Sequence, residues 1–240
     1  MTYAHYTGHS DFIRVAAPAI VERLSAAGLG GGHVVDLGCG SGILAGSLIE
    51  AGFSVVGVDI SLDMLRLAQM NYPGAQYVNA SFLDYELPSC VAITAIGQSL
   101  GYTLDRRNCS VELNRIFRRV WMALKPGGVF IFDLNTPATK VDHTASDTLW
   151  SRRDTAEWTI LSKVAVDADH ASMTRHITLF RLVDGSYRRT DESHRVLLFE
   201  PRKILDLLAS TGFVAQQIDG YGGLIFATEL AAYVAQKPKT

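Results

Sequence analysis

A buried strand that runs directly into a glycine-rich turn most constrains what this chain can fold into. The segment 33–37 reads His-Val-Val-Asp-Leu, and Gly38, Gly40 and Gly42 follow it. Glycine adopts positive φ at no steric cost and has no side chain that would hold a ligand away from the backbone. From Ile43 apolar residues recur at helical spacing, so the turn opens a helix. We expect a ligand of nucleotide size at this turn, with the loop N–H groups facing an anionic part of it.

A second apolar strand, 53–58, ends in the carboxylate of Asp59. An acid at this point of a nucleotide-binding βαβ unit accepts hydrogen bonds from ribose hydroxyls. The glycine spacing differs from the G-x-G-x-x-G pattern of dinucleotide folds, because Ile43 stands where the third glycine would be. The carboxylate of Asp36 would repel a diphosphate, whereas it could accept from an ammonium group. The two strands therefore predict a ribose-bearing ligand with an amino-acid tail.

Residues 34–42 and 57–61 together resemble the first and second motifs of the class I S-adenosylmethionine-dependent methyltransferases. Residues 124–133 and 209–213 are similar to the family's turn into its fifth strand and to a later helix-to-strand turn. The resemblance leaves roughly residues 138–199 outside the common pattern. It implies S-adenosylmethionine as the cofactor and methyl transfer as the activity. It also implies a doubly wound α/β fold with a mostly parallel, seven-stranded, Rossmann-like sheet whose last strand is antiparallel.

The same resemblance implies which residues bind the cofactor. Gly38 and Gly40 would pack against its methionyl part, and Asp36 would lie near its amino group. Asp59 would hold the ribose, and Ile60 would cover the adenine. The full predicted set of cofactor-binding residues is Asp36, Gly38, Cys39, Gly40, Asp59, Ile60, Ser81, Phe82 and Gly97.

One position departs from the family pattern. Family members often carry an aspartate that meets the adenine amino group, and Ser81 stands at the matching position here. The serine hydroxyl can accept a hydrogen bond, and the backbone N–H of Phe82 could contact the adenine ring without any side chain. Asn79 and Asp84 are alternative partners for the adenine amino group.

Hydrophobic periodicity predicts the remaining elements of the core. From Val34 to about Phe132 the chain alternates strands and helices, as expected for a parallel sheet covered on both faces. Helices are predicted at 11–27, 61–71, 111–124 and about 201–211, and the last two strands at 214–219 and 231–236.

Apolar and polar residues alternate from Trp158 to Phe199 around the dipeptide Asp184-Gly185. This alternation with a type I′-like turn predicts an antiparallel meander. Its three strands are predicted at 158–166, 172–183 and 186–199. We expect a single methyltransferase domain over 1–240, with its core in 1–137 and 200–240 and an inserted β-rich roof over the substrate pocket at about 138–199.

Composition and charge favour a small-molecule acceptor. The 240 residues are 48% hydrophobic, which suffices for one α/β domain, and their formal net charge is −2. A nucleic-acid partner usually demands a broad basic surface, and no run of Lys and Arg here exceeds two residues. The lack of a long apolar run and of a secretion signal predicts a cytoplasmic protein with no membrane partner, and a homodimer is left open. The three cysteines form no C-x-x-C pair, which argues against a disulfide framework and a metal site.

The expected reaction is methyl transfer to an O or N nucleophile of a small molecule. Residues 97–99 lack the Asn/Asp-Pro-Pro-aromatic signature with which similar enzymes receive an exocyclic base nitrogen, and no Pro-Cys pair is present for attack on a pyrimidine. Alternatives that stay open are a tRNA-modifying methyltransferase, a non-catalytic S-adenosylmethionine-binding module and a nicotinamide-dependent dehydrogenase. No catalytic residue is assigned. The histidines that could act as a general base are His5, His9, His143, His170, His176 and His194.

Overall fold

A computed structural model describes residues 8–137, 148–167 and 171–239, and every element named below lies in those ranges. The helices are α1 (Gly8–Ala26), α2 (Ile43–Glu50), α3 (Leu62–Asn71), α4 (Glu112–Ala123) and α5 (Pro201–Thr211). A short 3₁₀ turn spans Ser99–Gly101. The strands are β1 (Gly32–Leu37), β2 (Phe53–Asp59), β3 (Gln76–Asn79), β4 (Cys90–Ala95), β5 (Leu124–Asn135), β6 (Thr148–Asp154), β7 (Trp158–Val166), β8 (Ser172–Val183), β9 (Ser186–Leu197), β10 (Val214–Ile218), β11 (Gly220–Tyr221), β12 (Leu224–Ile225) and β13 (Leu230–Gln236).

The main sheet has seven strands in the order β10-β13-β5-β4-β1-β2-β3. β1 pairs in parallel with β2 and β4, whereas β13 runs antiparallel to both β5 and β10. This confirms the predicted doubly wound, mostly parallel sheet with an antiparallel last strand. The strand order reverses at β1 and β4, and in open α/β sheets ligands bind at this switch point, outside the carboxyl ends of the strands.

Two apolar clusters cover the two faces of the main sheet. Along β1, Val34 belongs to one cluster and Val35 to the other, so the strand is buried on both sides. Such strands read as continuous apolar runs rather than as alternating ones. In the cluster beneath α4, Phe130 and Phe132 of β5 stack with ring centroids 4.4 Å apart. Full burial of a side chain of this size contributes about 2–3 kcal/mol.

Local sequence signals account for the predicted helices. The hydroxyl of Ser61 accepts a hydrogen bond from the Met64 N–H at 3.4 Å, which makes Ser61 the N-cap of α3. Met64, Leu65 and Ala68 turn inward from α3, as their spacing predicts. The opening helix starts at Gly8, three residues before the predicted Asp11. Within the described ranges no helix is long and apolar enough to cross a membrane.

The inserted part of the chain forms a separate antiparallel sheet in the order β6-β7-β8-β9. Asp184 and Gly185 have φ values of 50° and 76°, as a type I′ turn requires, and they join β8 to β9. The three predicted strands are confirmed as β7, β8 and β9, the last of which ends at Leu197. A fourth strand, β6, was not predicted, and it pairs with β7 along its whole length. The sequence of β6 is Thr-Leu-Trp-Ser-Arg-Arg-Asp, a polar edge strand without strict alternation. Its strand conformation depends on pairing with β7 more than on a local pattern.

Candidate active site

A cavity of about 510 Å³ lies over the carboxyl ends of β1, β2 and β4. The loops that follow β1, β2, β3 and β4 form its floor, and two side chains of β9, Glu192 and His194, line it from the inserted sheet. The structure brings all nine residues of the predicted cofactor-binding set to this cavity. They are Asp36, Gly38, Cys39, Gly40, Asp59, Ile60, Ser81, Phe82 and Gly97.

The loop after β1 packs closely against the loop after β4 and is hydrogen-bonded to it. Gly38 has φ +71°, and a Cβ built on it would overlap with the Cβ of Ser99. The Ser99 hydroxyl donates to the Leu37 carbonyl at 2.9 Å, so the two loops meet at this point. Glycine is therefore required at position 38 both for backbone conformation and for the close approach of Ser99.

The expectation that the loop N–H groups face the ligand was wrong for most of the loop. The N–H groups of Gly38 and Cys39 donate to the Val58 carbonyl at 2.7 and 3.1 Å. The Gly40 N–H donates to a carboxylate oxygen of Asp59 at 2.9 Å. The loop crosses the end of β2, which places these protein acceptors within reach of its donors. A diphosphate would find these N–H groups already paired, which agrees with the exclusion of a dinucleotide.

Asp59 is the acid at the end of β2. Its two carboxylate oxygens accept hydrogen bonds from the Gly40 N–H at 2.9 Å and the Ser61 N–H at 2.8 Å. Burial raises its pKa, and these backbone donors oppose the rise. A carboxylate has about four acceptor positions, so the side chain can hold the two loops and still accept from a ligand.

Asp36 lies at the inner end of the cavity and is 2% exposed. The Thr94 hydroxyl of β4 donates to it at 2.7 Å. Burial raises the pKa of this carboxyl to about 7, partly offset by the Thr94 hydrogen bond and reinforced by the charge of Asp59. A cation in the cavity would favour its ionised form.

The polar groups near Ser81 differ from those predicted. The Asn79 amide donates to the carbonyls of Asp59 and Ile60. Asp84 pairs with Arg107. Neither Asn79 nor Asp84 lines the cavity. As alternatives for the ligand contact these two residues were wrong.

Asp105, which the sequence reasoning missed, lines the cavity instead. Hydrogen bonds from Arg107 and from the Ser81 hydroxyl hold its pKa well below its usual range. Residues 105–107 read Asp-Arg-Arg, so the sequence shows an acid beside two bases. Nothing in the sequence indicates that Asp105 would meet Ser81.

A buried carboxylate supports the loop after β4 from below. Asp133 of β5 is 0% exposed and accepts from the Gly97 N–H at 3.1 Å, the Gln98 N–H at 2.5 Å and the Tyr221 hydroxyl at 3.1 Å. Burial raises its pKa to about 6, while these donors oppose the rise. Gln98 holds a φ of 60°, and its bond to Asp133 helps to keep that conformation.

The other end of the cavity is built by the inserted sheet and the segment after β4. His194 Nε2 lies 3.0 Å from a carboxylate oxygen of Glu192, and the Tyr102 ring meets the His194 ring edge-on at 5.9 Å. Of the six candidate histidines, the structure places His194 at the cavity. His176 is exposed and hydrogen-bonded to Ser193. His5, His143, His170 and the side chain of His9 lie outside what the structure describes. In the described ranges no group of His, Cys, Asp and Glu could hold a metal ion.

Comparison with known proteins identifies the family. A family model described as a methyltransferase domain matches residues 34–128. A protein of Geobacillus sp. (strain WCH70), named “Putative methyltransferase”, is 31% identical over 232 residues, which cover 91% of this chain and 91% of that protein. The chain belongs to the class I S-adenosylmethionine-dependent methyltransferases. S-adenosylmethionine is the cofactor of this methyltransferase, and its activity is methyl transfer rather than the hydride transfer of a dehydrogenase.

Solved methyltransferase structures share the fold. An S-adenosylmethionine-dependent methyltransferase from Clostridium acetobutylicum ATCC 824 superposes with a TM-score of 0.79 at 21% identity, covering 94% of this chain and 92% of that one. The sugar N-methyltransferase KedS8 from Streptoalloteichus sp ATCC 53650 gives 0.79 at 17% identity, covering 99% and 93%. At these identities the likeness concerns the fold.

The cavity of this methyltransferase fits S-adenosylmethionine. Its volume of about 510 Å³ lies within the range of roughly 300–1,000 Å³ typical of small-molecule sites. The amino and sulfonium groups of the cofactor are cationic, and the carboxylates of Asp36 and Asp59 stand in the cavity wall. None of the described residues that line the wall is Lys or Arg.

Gly38→Ala is expected to lower the free energy of unfolding by about 2–5 kcal/mol, because it adds left-handed strain to a clash with Ser99. Calorimetric titration should show no binding of S-adenosylhomocysteine to the folded fraction. The matched control is Gly30→Ala, since a Cβ at Gly30 meets nothing within 4 Å. Equal stability and affinity in the two variants would show that the contact with Ser99 is dispensable.

Proposed function

We propose that this methyltransferase transfers a methyl group to an O or N nucleophile of a small molecule. The observation that carries the proposal is the single cavity that runs from the loops after β1 and β2 to Glu192 and His194 of the inserted sheet. A donor held over the main sheet and an acceptor held against the inserted sheet would then share one enclosure. The sugar N-methyltransferase KedS8, which has the same fold over 99% of this chain, supports a small acceptor.

We assign the nine cavity residues of the predicted set to the cofactor. Asp36 would receive its amino group, and Asp59 would use its remaining acceptor positions for the ribose hydroxyls. Ser81 and Asp105, which are hydrogen-bonded to each other, would supply the polar edge of the adenine site. Gly38, Cys39, Gly40 and Gly97 would contact the methionyl part, and Ile60 and Phe82 would contact the adenine ring.

The bound cofactor supplies a methyl group that its sulfonium already activates. The chain has to exclude water and to hold the acceptor in line, which can contribute roughly 7–11 kcal/mol to lowering the barrier. Ile13, Ile96 and Leu104 line the cavity with apolar surface suited to the first task. The inserted sheet would perform the second by closing the acceptor end, as the roof of a single domain. The predicted cytoplasmic location and homodimer stay predictions.

Two measurements test the proposal. Calorimetric titration should show binding of S-adenosylhomocysteine and no binding of NADH. Transfer of a tritiated methyl group should then be followed on a panel of amines, phenols and sugars, with bulk tRNA alongside. Transfer to small molecules alone is the expected result. Transfer to tRNA alone would replace the proposal by the tRNA-modifying alternative, and transfer to no small molecule of the panel would contradict the proposal.

The affinity for S-adenosylhomocysteine is expected to rise with pH between about 5.5 and 7. Burial raises the pKa of Asp36 to about 7, so in this window the empty site holds a proton that must leave before the carboxylate can pair with the amino group of the ligand. The dissociation constant should fall by up to about tenfold per pH unit and level off above about 7. Titrations at several pH values check this.

The variant Asp36→Asn tests whether the pH dependence of binding comes from Asp36, because an Asn side chain does not titrate. Burial also raises the pKa of Asp59. Asp59 is therefore left unchanged in the variant, so that its contribution to the pH dependence of binding would still be seen. Weaker binding with a flat pH profile is expected. A profile as steep as that of the wild type would assign the pH dependence to Asp59 or another group.

A further inference from the structure

The wall of the cavity is anionic at both ends. Its acidic side chains are Asp36, Asp59 and Asp105 on the main-sheet side and Glu192 on the inserted sheet, and none of the described lining residues is Lys or Arg. The nearby Arg107 is committed to Asp84 and Asp105 in bonds of 2.5–3.0 Å. Its charge therefore offsets those of Asp84 and Asp105.

Glu192 stands where an acceptor has to approach. In β9 the residues Glu192, His194 and Val196 turn toward the body of the protein, while Ser193 and Arg195 between them are exposed. The side chains of Glu192 and His194 are 30% and 17% exposed, so they are shielded but still reach the cavity. The bond of 3.0 Å from His194 Nε2 orients the carboxylate. Glu192 is thus a positioned anion in the acceptor wall.

Further charges face this pair from β8 and from the segment after β4. Arg175 is the partner of His194 in the β8–β9 register, and its guanidinium donates to the Tyr102 hydroxyl at 3.0 Å. Ile177 is the partner of Glu192 in the same register. Arg175 is absent from the cavity lining, whereas Glu192 is part of it. An acceptor in the cavity therefore meets the carboxylate and not the guanidinium.

We propose that the acceptor is a small-molecule amine and that Glu192 binds its nitrogen. This inference rests on the proposed function. When a neutral amine is methylated, positive charge moves from sulfur to nitrogen, and a carboxylate beside that nitrogen stabilises the charge where it develops. An acidic oxygen nucleophile reacts as an anion, which the same carboxylate would repel. The charge of the wall therefore selects for nitrogen.

The transfer step balances in atoms and charge. An N–H of the neutral amine donates to Glu192, which leaves the nitrogen lone pair directed at the methyl carbon. The nitrogen–carbon bond forms as the carbon–sulfur bond breaks, and the electron pair of the broken bond stays on sulfur. The products are the N-methylammonium ion and neutral S-adenosylhomocysteine, and the ammonium ion then releases a proton to water. His194 is a positioning residue, because it acts through Glu192.

Matched pairs of probes test the choice of nitrogen. The pairs are cyclohexylamine with cyclohexanol and glucosamine with glucose, and tyramine carries an amine and a phenol in one molecule. We expect tritium transfer to the amines and to the amine of tyramine. Transfer to alcohols or to the phenol without transfer to any amine overturns the inference and leaves the proposed function intact. The proposed function fails separately if no member of either series is methylated.

Glu192→Gln tests the role of the carboxylate and has Glu157→Gln as its control, since Glu157 is exposed in the turn between β6 and β7 of the inserted sheet. The Gln variant should lose at least about tenfold in kcat/KM for the amine. The affinity for S-adenosylhomocysteine should be unchanged in both variants. Calorimetric titration of the amine into protein saturated with S-adenosylhomocysteine gives a readout independent of turnover. Binding to the wild type and to Glu157→Gln, and no binding to Glu192→Gln, is expected.

Two further variants distinguish a role of the Glu192 charge in amine binding from misfolding and from a purely structural role. Glu192→Asp keeps the charge, so it should retain more amine affinity than Glu192→Gln at an equal melting temperature. His194→Gln can still donate to the carboxylate and should raise KM for the amine by a smaller factor than Glu192→Gln does. If Glu192→Gln binds and methylates amines as the wild type does, the assignment of Glu192 is wrong.

Discussion

Asp59→Ala is expected to weaken binding of S-adenosylhomocysteine by at least about 100-fold. Under the proposed assignment Asp59 accepts two hydrogen bonds from ribose hydroxyls, and each such bond to a charged acceptor contributes about 1.5–3 kcal/mol at most. The variant also leaves the N–H groups of Gly40 and Ser61 without their acceptor, so the loop that carries Gly38 and Gly40 loses one of its bonds to β2. The binding loss should therefore exceed that of a ligand contact alone. Calorimetric titration measures it.

Asp63→Ala is the matched control for this prediction. Asp63 lies in the first turn of α3, where its side chain is 59% exposed and pairs with Arg66. Such a surface ion pair contributes little, about 0–1 kcal/mol, to stability. The control should bind S-adenosylhomocysteine as the wild type does. Unchanged titration curves for Asp59→Ala would place the ribose elsewhere in the cavity or in another one.

Asp133→Ala is expected to lower the free energy of unfolding by about 3–5 kcal/mol. The substitution leaves four buried donors without their acceptor: the N–H groups of Gly97 and Gln98, the Gln98 side-chain amide and the Tyr221 hydroxyl. Each unsatisfied donor costs about 1–3 kcal/mol, and relief of carboxylate burial offsets part of the sum. The loop that brings Gly97 and Ser99 to the cavity would loosen, so cofactor affinity should fall as well. Urea denaturation and calorimetric titration check the two effects.

Tyr221→Phe tests the same network with less disruption. It removes one of the four hydrogen bonds and leaves the two backbone donors and the Gln98 side-chain amide bonded to Asp133. The free energy of unfolding should fall by about 1 kcal/mol, and cofactor affinity should stay close to that of the wild type. If Asp133→Ala were no less stable than Tyr221→Phe, the carboxylate would not be what holds the loop after β4.

Much of the fold could be predicted because the signals for it are local. The two apolar strands that end at the glycine loop and at Asp59 are short, and both strands are buried on both faces. Serine capping of α3 and the Asp184-Gly185 turn each depend on a few adjacent residues. Strand β6 could not be predicted in this way, because its polar sequence becomes a strand through pairing with β7.

The site could be predicted on the side of the main sheet and was missed elsewhere. The nine predicted residues lie at or just after the carboxyl ends of β1, β2, β3 and β4. The carboxyl ends of parallel strands meet at one edge of a sheet. Asp105 and Asp133 gave no comparable signal, because their partners Ser81 and Gly97 lie in other loops. The loop N–H groups were misassigned because the sequence does not show that the Val58 carbonyl and Asp59 reach them first.

The amino-acid sequence by itself determined the strand–turn–helix unit, the acid that follows the second strand and the family to which these belong. These features depend on residues close together in the chain, where backbone conformation and hydrophobic period leave few alternatives. The tertiary structure alone decided that Glu192 and His194 face the glycine loop across one cavity. Which side of β9 turns inward depends on its pairing with β8 and on how the inserted sheet packs, and both are contacts between distant parts of the chain.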